Sequence, residues 1–309
     1  MIKYKSINKN YLENILSKAP KFLDHLQDVA KYYEGFIFGI QGVLLEESQV
    51  FPNGVYCLEK LRLAGKTVAL MSNVSQLSST VIDVLTAKGI SLSLYQHIIT
   101  SGDEAYRHLL DKIDPWHNAL GDICFFIGRL EDARLMEKLP YHYTSRLEEA
   151  DFILAASLDD WDKNVECYFP VLNKGLSLHL PLVCTNPDLF YYKEHEKITC
   201  AGSLAAYYQE KGGEVFYHGK PYIPIFNQIF KRLSFISRDK ILLIGDSLVN
   251  DILGANRVDL DSLLVLSDTT VDQLKLSSNT QQTLSLKSIF EMIKPDDLKP
   301  TYMMQSLKW

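Results

Sequence analysis

Ile241-Leu242-Leu243-Ile244-Gly245-Asp246-Ser247-Leu248-Val249-Asn250-Asp251 sets four aliphatic residues directly before a glycine and an aspartate. An apolar run bounded in this way reads as a strand buried on both faces, the kind found inside parallel sheets. Val249 to Ala255 then predicts a helix. A strand that ends in Gly-Asp and turns into a helix leaves a carboxylate at the carboxyl end of the sheet, where open α/β folds gather their ligands. Asp246, with Asp251 five residues on, can offer two oxygens to a hard cation such as Mg2+. The same residues also serve as a helix cap and a solvated first-turn acid.

Working upstream, Ile223 to Leu233 predicts a helix, preceded by Gly219-Lys220-Pro221. Near the start of the chain, Gly35 to Phe38 is an apolar strand that runs into Gly39-Ile40-Gln41-Gly42. Tyr56 to Ala64 is an amphipathic helix closed by Gly65, Thr67 to Met71 a strand ending at Ser72-Asn73, and Ser78 to Lys88 a helix capped by Gly89. Strand and helix in alternation predict a doubly wound parallel sheet of the Rossmann-like α/β class. Between these halves lie a helix, Ser101 to Leu110, the short strands Ile123 to Ile127, Asp151 to Ala155 and Val183 to Thr185, and a helix, Leu204 to Glu210. They predict an inserted α/β domain. The expected division is a core of residues 1–98 and 215–309 with an insertion of 99–214. Tyr11 to Tyr32 predicts two short helices broken at Pro20, Leu286 to Ile293 one more, and Lys299 to Trp309 an extended tail docked through Tyr302 and Trp309.

With 309 residues, 47% hydrophobic and 23% charged, the chain can bury a substantial core. A formal charge of −6 argues against nucleic acid as a partner. The basic N-terminal segment has no apolar stretch after it, and no window approaches a membrane span, so neither secretion nor membrane insertion is expected. Five cysteines, Cys57, Cys124, Cys167, Cys184 and Cys200, are scattered without Cys-x-x-Cys spacing. They suggest neither a disulfide framework nor a zinc site, and a cytoplasmic location is the default, with export by a signal-less route the alternative.

The strand ends bring together a small set of candidate side chains. Ser72 and Asn73 offer a hydroxyl and turn N–H groups to a phosphoryl oxygen, although Ser-Asn is also ordinary loop punctuation. Lys220, restricted between Gly219 and Pro221, can aim an ammonium at phosphate. His218 is the histidine nearest this set, and a lone histidine is more often structural than catalytic.

Thr185-Asn186-Pro187-Asp188, Ala201-Gly202-Ser203-Leu204, His218-Gly219-Lys220-Pro221 and the segment Gly245 to Asn256, in that order, resemble the haloacid dehalogenase (HAD) superfamily, subfamily IIA, which includes p-nitrophenyl-phosphatase-like and phosphoglycolate-phosphatase-like proteins. The resemblance implies a HAD core with a large inserted α/β cap, Mg2+-dependent hydrolysis of phosphate esters, and dimerisation through the cap. Carried over by position, it implies phosphoryl binding by Ser72, charge neutralisation by Lys220, and metal binding by Asp246, Asp251 and the backbone carbonyl of Gln41. The family's first motif, Asp-x-Asp-Gly, supplies an attacking carboxylate and a second aspartate that acts as general acid and then base. Here those positions hold Gly39 and Gln41. The expectation is therefore a catalytically inactive or strongly impaired phosphatase-like protein that binds a phosphorylated small molecule, with Lys220 released to pair with that ligand. The alternatives are an active hydrolase using water or another carboxylate, such as Glu46 or Glu47; a phosphatase whose Asp at position 39 has been altered; and a non-catalytic, partner-binding protein.

Overall fold

The computed structural model describes residues 20–46, 49–160, 163–193, 196–274, 285–293 and 296–309. In chain order its strands are β1 (Lys21–Phe22), β2 (Gly35–Gly39), β3 (Leu45–Glu46), β4 (Gln49–Val50), β5 (Thr67–Ser72), β6 (His97–Thr100), β7 (Ile123–Ile127), β8 (His142–Thr144), β9 (Phe152–Ala155), β10 (Leu182–Cys184), β11 (Phe190–Lys193), β12 (Glu196–Thr199), β13 (Val215–Tyr217), β14 (Ile241–Gly245), β15 (Asp261–Val265) and β16 (Tyr302–Met304). Seven form one sheet, in the order β1-β16-β15-β14-β2-β5-β6, and every neighbouring pair in it is parallel. A second, five-stranded sheet, β13-β10-β9-β7-β8, is also parallel throughout. Strand β6 thus carries the first sheet to Thr100, and β13 belongs to the second. Strand β6 runs across the expected boundary after residue 98, while β13 begins directly at the expected boundary after residue 214.

The alternation of side chains along β2 and β14 explains why both faces of the first sheet are covered. Phe36, Phe38, Leu242 and Ile244 pack into the core on one face, and Ile37, Ile241 and Leu243 into the core on the other. All are buried, as expected for central parallel strands. Register sets Phe38 beside Ile244 and Gly39 beside Met71, so β2, β14 and β5 end level with one another. Strand β2 lies where the strand order reverses, which opens a crevice at its carboxyl end.

Two sequence expectations are corrected. In the described part of the segment before β2, residues 20–34, the second expected helix shrinks to Gln27–Ala30, and Lys21–Phe22 pairs as a strand with Tyr302–Met303. A non-local edge pairing overrides the local helical spacing there. Of that expectation, residues 11–19 lie outside the described residues. After β14, residues Leu248–Ile252 form a π-helical turn and only Leu253–Arg257 is α-helical. The tail is extended as expected: it gives β16, between β1 and β15, and Tyr302 and Trp309 pack in the first core. Among the described residues no helix is long and apolar enough to cross a membrane.

Candidate functional site

Gly39, Ser72 and Asp246 stand at or just beyond the ends of β2, β5 and β14; Ser72 and Asp246, with Ile40 and Gln41 just after Gly39, line one cavity of about 870 Å3 that extends from the first sheet to residues of the insertion. Two local devices shape its floor. Gly42, at φ +71°, lies so close to Asp246 that a Cβ there would sit 2.1 Å from Oδ2, so the turn accepts only glycine. The π turn folds Asp251 back under Gly245, where an added Cβ would lie 2.2 Å from the Asp251 Cγ.

Lys220 is not released. Its buried ammonium donates to Asp251 Oδ1 at 2.7 Å and to the Met71 carbonyl at 3.4 Å. Burial pulls the lysine pKa down, but the charge and hydrogen bond of Asp251, with Asp188 and Asp246 behind them, outweigh it and leave the pKa raised. The expectation that loss of the first aspartate frees this lysine is overturned, because a neighbouring acid has taken it up. Asp251 Oδ2 accepts from the Ser247 amide at 3.2 Å, and Asp246 Oδ2 from the Ser267 hydroxyl at 2.6 Å. Burial first, and then the charge of Asp251, drive the Asp246 pKa upward.

Asn73 has a different part from the one expected. Its carboxamide donates to Asp188 Oδ1 (2.8 Å) and to the Lys220 carbonyl (2.9 Å), and accepts from the Lys220 amide (2.7 Å). It fixes the lysine backbone and tethers the insertion; its side chain positions the site. Ser72 is buried at the cavity wall, its Oγ 3.4 Å from the Val74 amide. Gln41 lines the cavity, whereas Glu46 lines a separate cavity of about 400 Å3 beside Gly42. Glu46 is therefore not a replacement carboxylate for the main site, and Glu47 lies outside the described residues. His218 is also directed elsewhere, with Nδ1 on Glu104 Oε1 at 3.0 Å.

Sequence reading missed Asp188 as a site residue. Its Oδ1 accepts from both Asn73 and Asn250 (2.7 Å), latching the insertion onto two loops of the first sheet. Burial pushes its pKa up to about 6, against the opposing Asn73 hydrogen bond and Lys220 charge. Asp188 entered the sequence reading only within the motif Thr185-Asn186-Pro187-Asp188, and only the long-range contacts reveal what the carboxylate touches. Arg129 and Asp132, from the insertion, were likewise not singled out and line the far wall.

Three carboxylates, Asp188, Asp246 and Asp251, thus converge on the ammonium of Lys220. Oxygen donors, burial and surplus negative charge suit a hard divalent cation, and the charge of Asp251 adds to burial in raising the Asp246 pKa. The donor set fits Mg2+, with one charged ligand fewer because Gly39 has no side chain. A Cβ built on Gly39 would meet Ile244 O and Val43 Cγ2 at 3.6 Å and Gly245 Cα at 3.7 Å, all ordinary contacts. The position has room for a side chain.

Comparison with known proteins bears on the family and the fold. The family profile described as haloacid dehalogenase-like hydrolase matches residues 36–141, and a second, HAD-hydrolase-like, matches residues 217–291. The chain belongs to the haloacid dehalogenase superfamily. A haloacid dehalogenase-like hydrolase from Brucella suis is 26% identical, with a TM-score of 0.72 over 78% of this chain and 92% of its own. A 4-nitrophenylphosphatase from Thermotoga maritima shares the fold at 19% identity and a TM-score of 0.66, covering 90% of this chain and 96% of its own. A glycerol phosphate phosphatase from Mycobacterium tuberculosis, solved with calcium, does so at 19% identity and a TM-score of 0.63, covering 90% of this chain and 74% of its own. No curated protein sequence matches the chain significantly. In this HAD-like chain Gly39 closes β2 and Gln41 stands in the turn that follows it.

Proposed function

We propose that this HAD-like protein binds a phosphorylated small molecule in the cavity between its two sheets, together with Mg2+, and that it has lost covalent hydrolysis. The observation that carries the reading is Gly39: the end of β2, level with Lys220's partners, offers no carboxylate to attack phosphorus. Asp246, Asp251 and the Gln41 carbonyl would hold the ion. When bound it would supply positive charge beside the phosphate. Lys220 then stays anchored on Asp251 while its ammonium contributes charge to the same space, Ser72 offers a hydroxyl, and the Asp188 latch closes the insertion over the ligand and excludes water. A phosphate dianion facing three carboxylates and one ammonium is repelled, so binding is expected to require the cation. Isothermal titration with inorganic phosphate, with and without Mg2+, tests this; tight binding in chelator, or none in Mg2+, refutes it. Turnover of p-nitrophenyl phosphate should stay at background.

One observation favours a second reading. Asp188 shares the cavity and burial pushes its pKa up to about 6, which suits a group that exchanges a proton with water. Slow hydrolysis by directly attacking water would then follow the ionisation of Asp188 and vanish in Asp188→Asn.

A further inference from the structure

Outside this cavity a gathering of titratable groups lies where the chain crosses between the sheets. Glu104 and His108 stand on the helix Ser101–Asp111 that leaves β6, Asp114 and His117 on the next short turn, and His218 directly after β13, two residues before Lys220. Each imidazole is held by a carboxylate through Nδ1. His108 Nδ1 lies 2.9 Å and His117 Nδ1 2.7 Å from Asp114 Oδ2, and His218 Nδ1 lies 3.0 Å from Glu104 Oε1. Glu104 Oε2 also accepts the Gly219 amide at 2.8 Å. The three rings form a triangle, with centroids 4.9, 5.1 and 5.2 Å apart. His117 Nε2 and His218 Nε2 face one another at 3.1 Å.

We propose that this cluster is a metal site that takes one transition-metal ion, zinc by its donor chemistry, and that the ion clamps together the outgoing and returning segments that join the two sheets. A carboxylate on Nδ1 fixes the tautomer with the proton there and directs the Nε2 lone pair outward, which is the usual support behind a zinc-bound histidine. Two such lone pairs 3.1 Å apart repel unless something positive lies between or beside them. Two imidazole nitrogens on a tetrahedral ion with Zn–N distances of about 2.0–2.1 Å stand roughly 3.3 Å apart. The spacing found is close to that.

Among the described residues no set of three holds both His117 and His218, but each of them has two further donors beside it, and His108 is common to both sets. Ligand atoms of Glu104, His108 and His218 lie within 4.8 Å of one another, as do those of His108, Asp114 and His117. Imidazoles select zinc and its neighbours over Mg2+, which separates this site from the all-oxygen one beside Lys220. The surroundings favour the unprotonated rings: Trp116 and Phe216 pack on His117 at 5.0 and 4.4 Å, and burial keeps the His117 and His218 pKa values below the ordinary histidine range.

The rival occupant of the 3.1 Å gap is a proton, passed along a chain from a protonated Glu104 through His218 to His117. Metal analysis separates the two. The full chain, expressed without a histidine tag and purified without chelator, is expected to carry about one equivalent of zinc by mass spectrometry. After removal of that zinc, Co2+ should restore occupancy with the visible absorption of a tetrahedral ion. His117→Gln and His218→Gln should each lower zinc affinity by roughly the 10- to 100-fold or more that follows loss of support around a metal. Asp251→Asn, in the other site, should leave the zinc in place. Wild-type protein that is isolated metal-free and takes up neither Zn2+ nor Co2+ in equilibrium dialysis overturns the proposal in favour of the proton chain. This wild-type measurement stands even where a histidine variant fails to fold.

Discussion

Substituting position 39 separates the electrostatics of the site from its sterics. The nearest atoms to a Cβ there are 3.6–3.7 Å away, and the backbone is ordinary β-strand, so Gly39→Ala should relieve the entropic penalty of a strand glycine and stabilise the protein by about 0.5–1 kcal/mol. Gly39→Asn adds nearly the volume of Asp without its charge and serves as the reference. Gly39→Asp then adds a like charge to the Asp246 and Asp251 pair. At an effective dielectric of about 20 and separations of about 5–6 Å, each carboxylate pair opposes folding by roughly 3 kcal/mol, and attraction to Lys220 returns a similar amount. The net expectation is that Asp is less stable than Asn at this position by about 1–3 kcal/mol at pH 8 in chelator. A divalent ion bound to the completed carboxylate set reverses the order: at a hundredfold excess over its dissociation constant it adds about 2.7 kcal/mol. Urea denaturation of the three variants, with EDTA and with Mg2+, provides the comparison. If Gly39→Ala is destabilising, the space inferred here does not exist. If the Asp–Asn difference does not respond to Mg2+, the remaining acids do not form a cation site.

Gly42→Ala should cost about 2–4 kcal/mol by denaturation and abolish any Mg2+-dependent stabilisation, since its Cβ would require both a disfavoured φ and displacement of Asp246. Asn73→Ala removes three hydrogen bonds and leaves the Lys220 amide and the Asp188 carboxylate short of partners; a loss of about 2–4 kcal/mol, with faster proteolysis in the 185–200 segment, is expected, and a loss below about 1 kcal/mol contradicts the latch. In metal-free protein the buried acids Asp246 and Glu104, the latter pushed up to about 8, keep protons that the unfolded chain has released, so stability should fall as pH rises from about 6.5 to 8. Below pH 6.5 the unfolded chain takes up histidine protons that buried His117 and His218 refuse, which offsets the gain from the two acids, so stability should level off there rather than keep rising. A thermal-melt profile that instead rises steadily to pH 8 refutes this pairing.

The central strands were legible because both of their faces are apolar and each ends in a glycine or a polar turn, so Gly39, Ser72 and Asp246 could be placed at the carboxyl edge from sequence. The missed features all depend on distance along the chain. Asp188 meets Asn73 across 115 residues and Asn250 across 62, and no local pattern encodes those contacts. Three histidines at positions 108, 117 and 218 look unrelated until a helix and a returning strand bring them together. The capture of Lys220 by Asp251 was hidden for a subtler reason. It depends on one widened turn in a segment whose periodicity reads as an ordinary α-helix.

Strand β1 has one neighbour in the sheet, and that neighbour is β16. Residues 21–22 therefore leave the ribosome about 280 residues ahead of the strand that will hold them. At typical elongation rates of about 5–20 residues per second, that is a wait on the order of tens of seconds. During it β14, β2, β5 and β6 can already pair, whereas β15 presents an open apolar edge. The last strand closes this edge and seats β1 in the same step, so a chain stalled before residue 302 would expose β15 to chaperones, or to the β15 edge of another stalled chain.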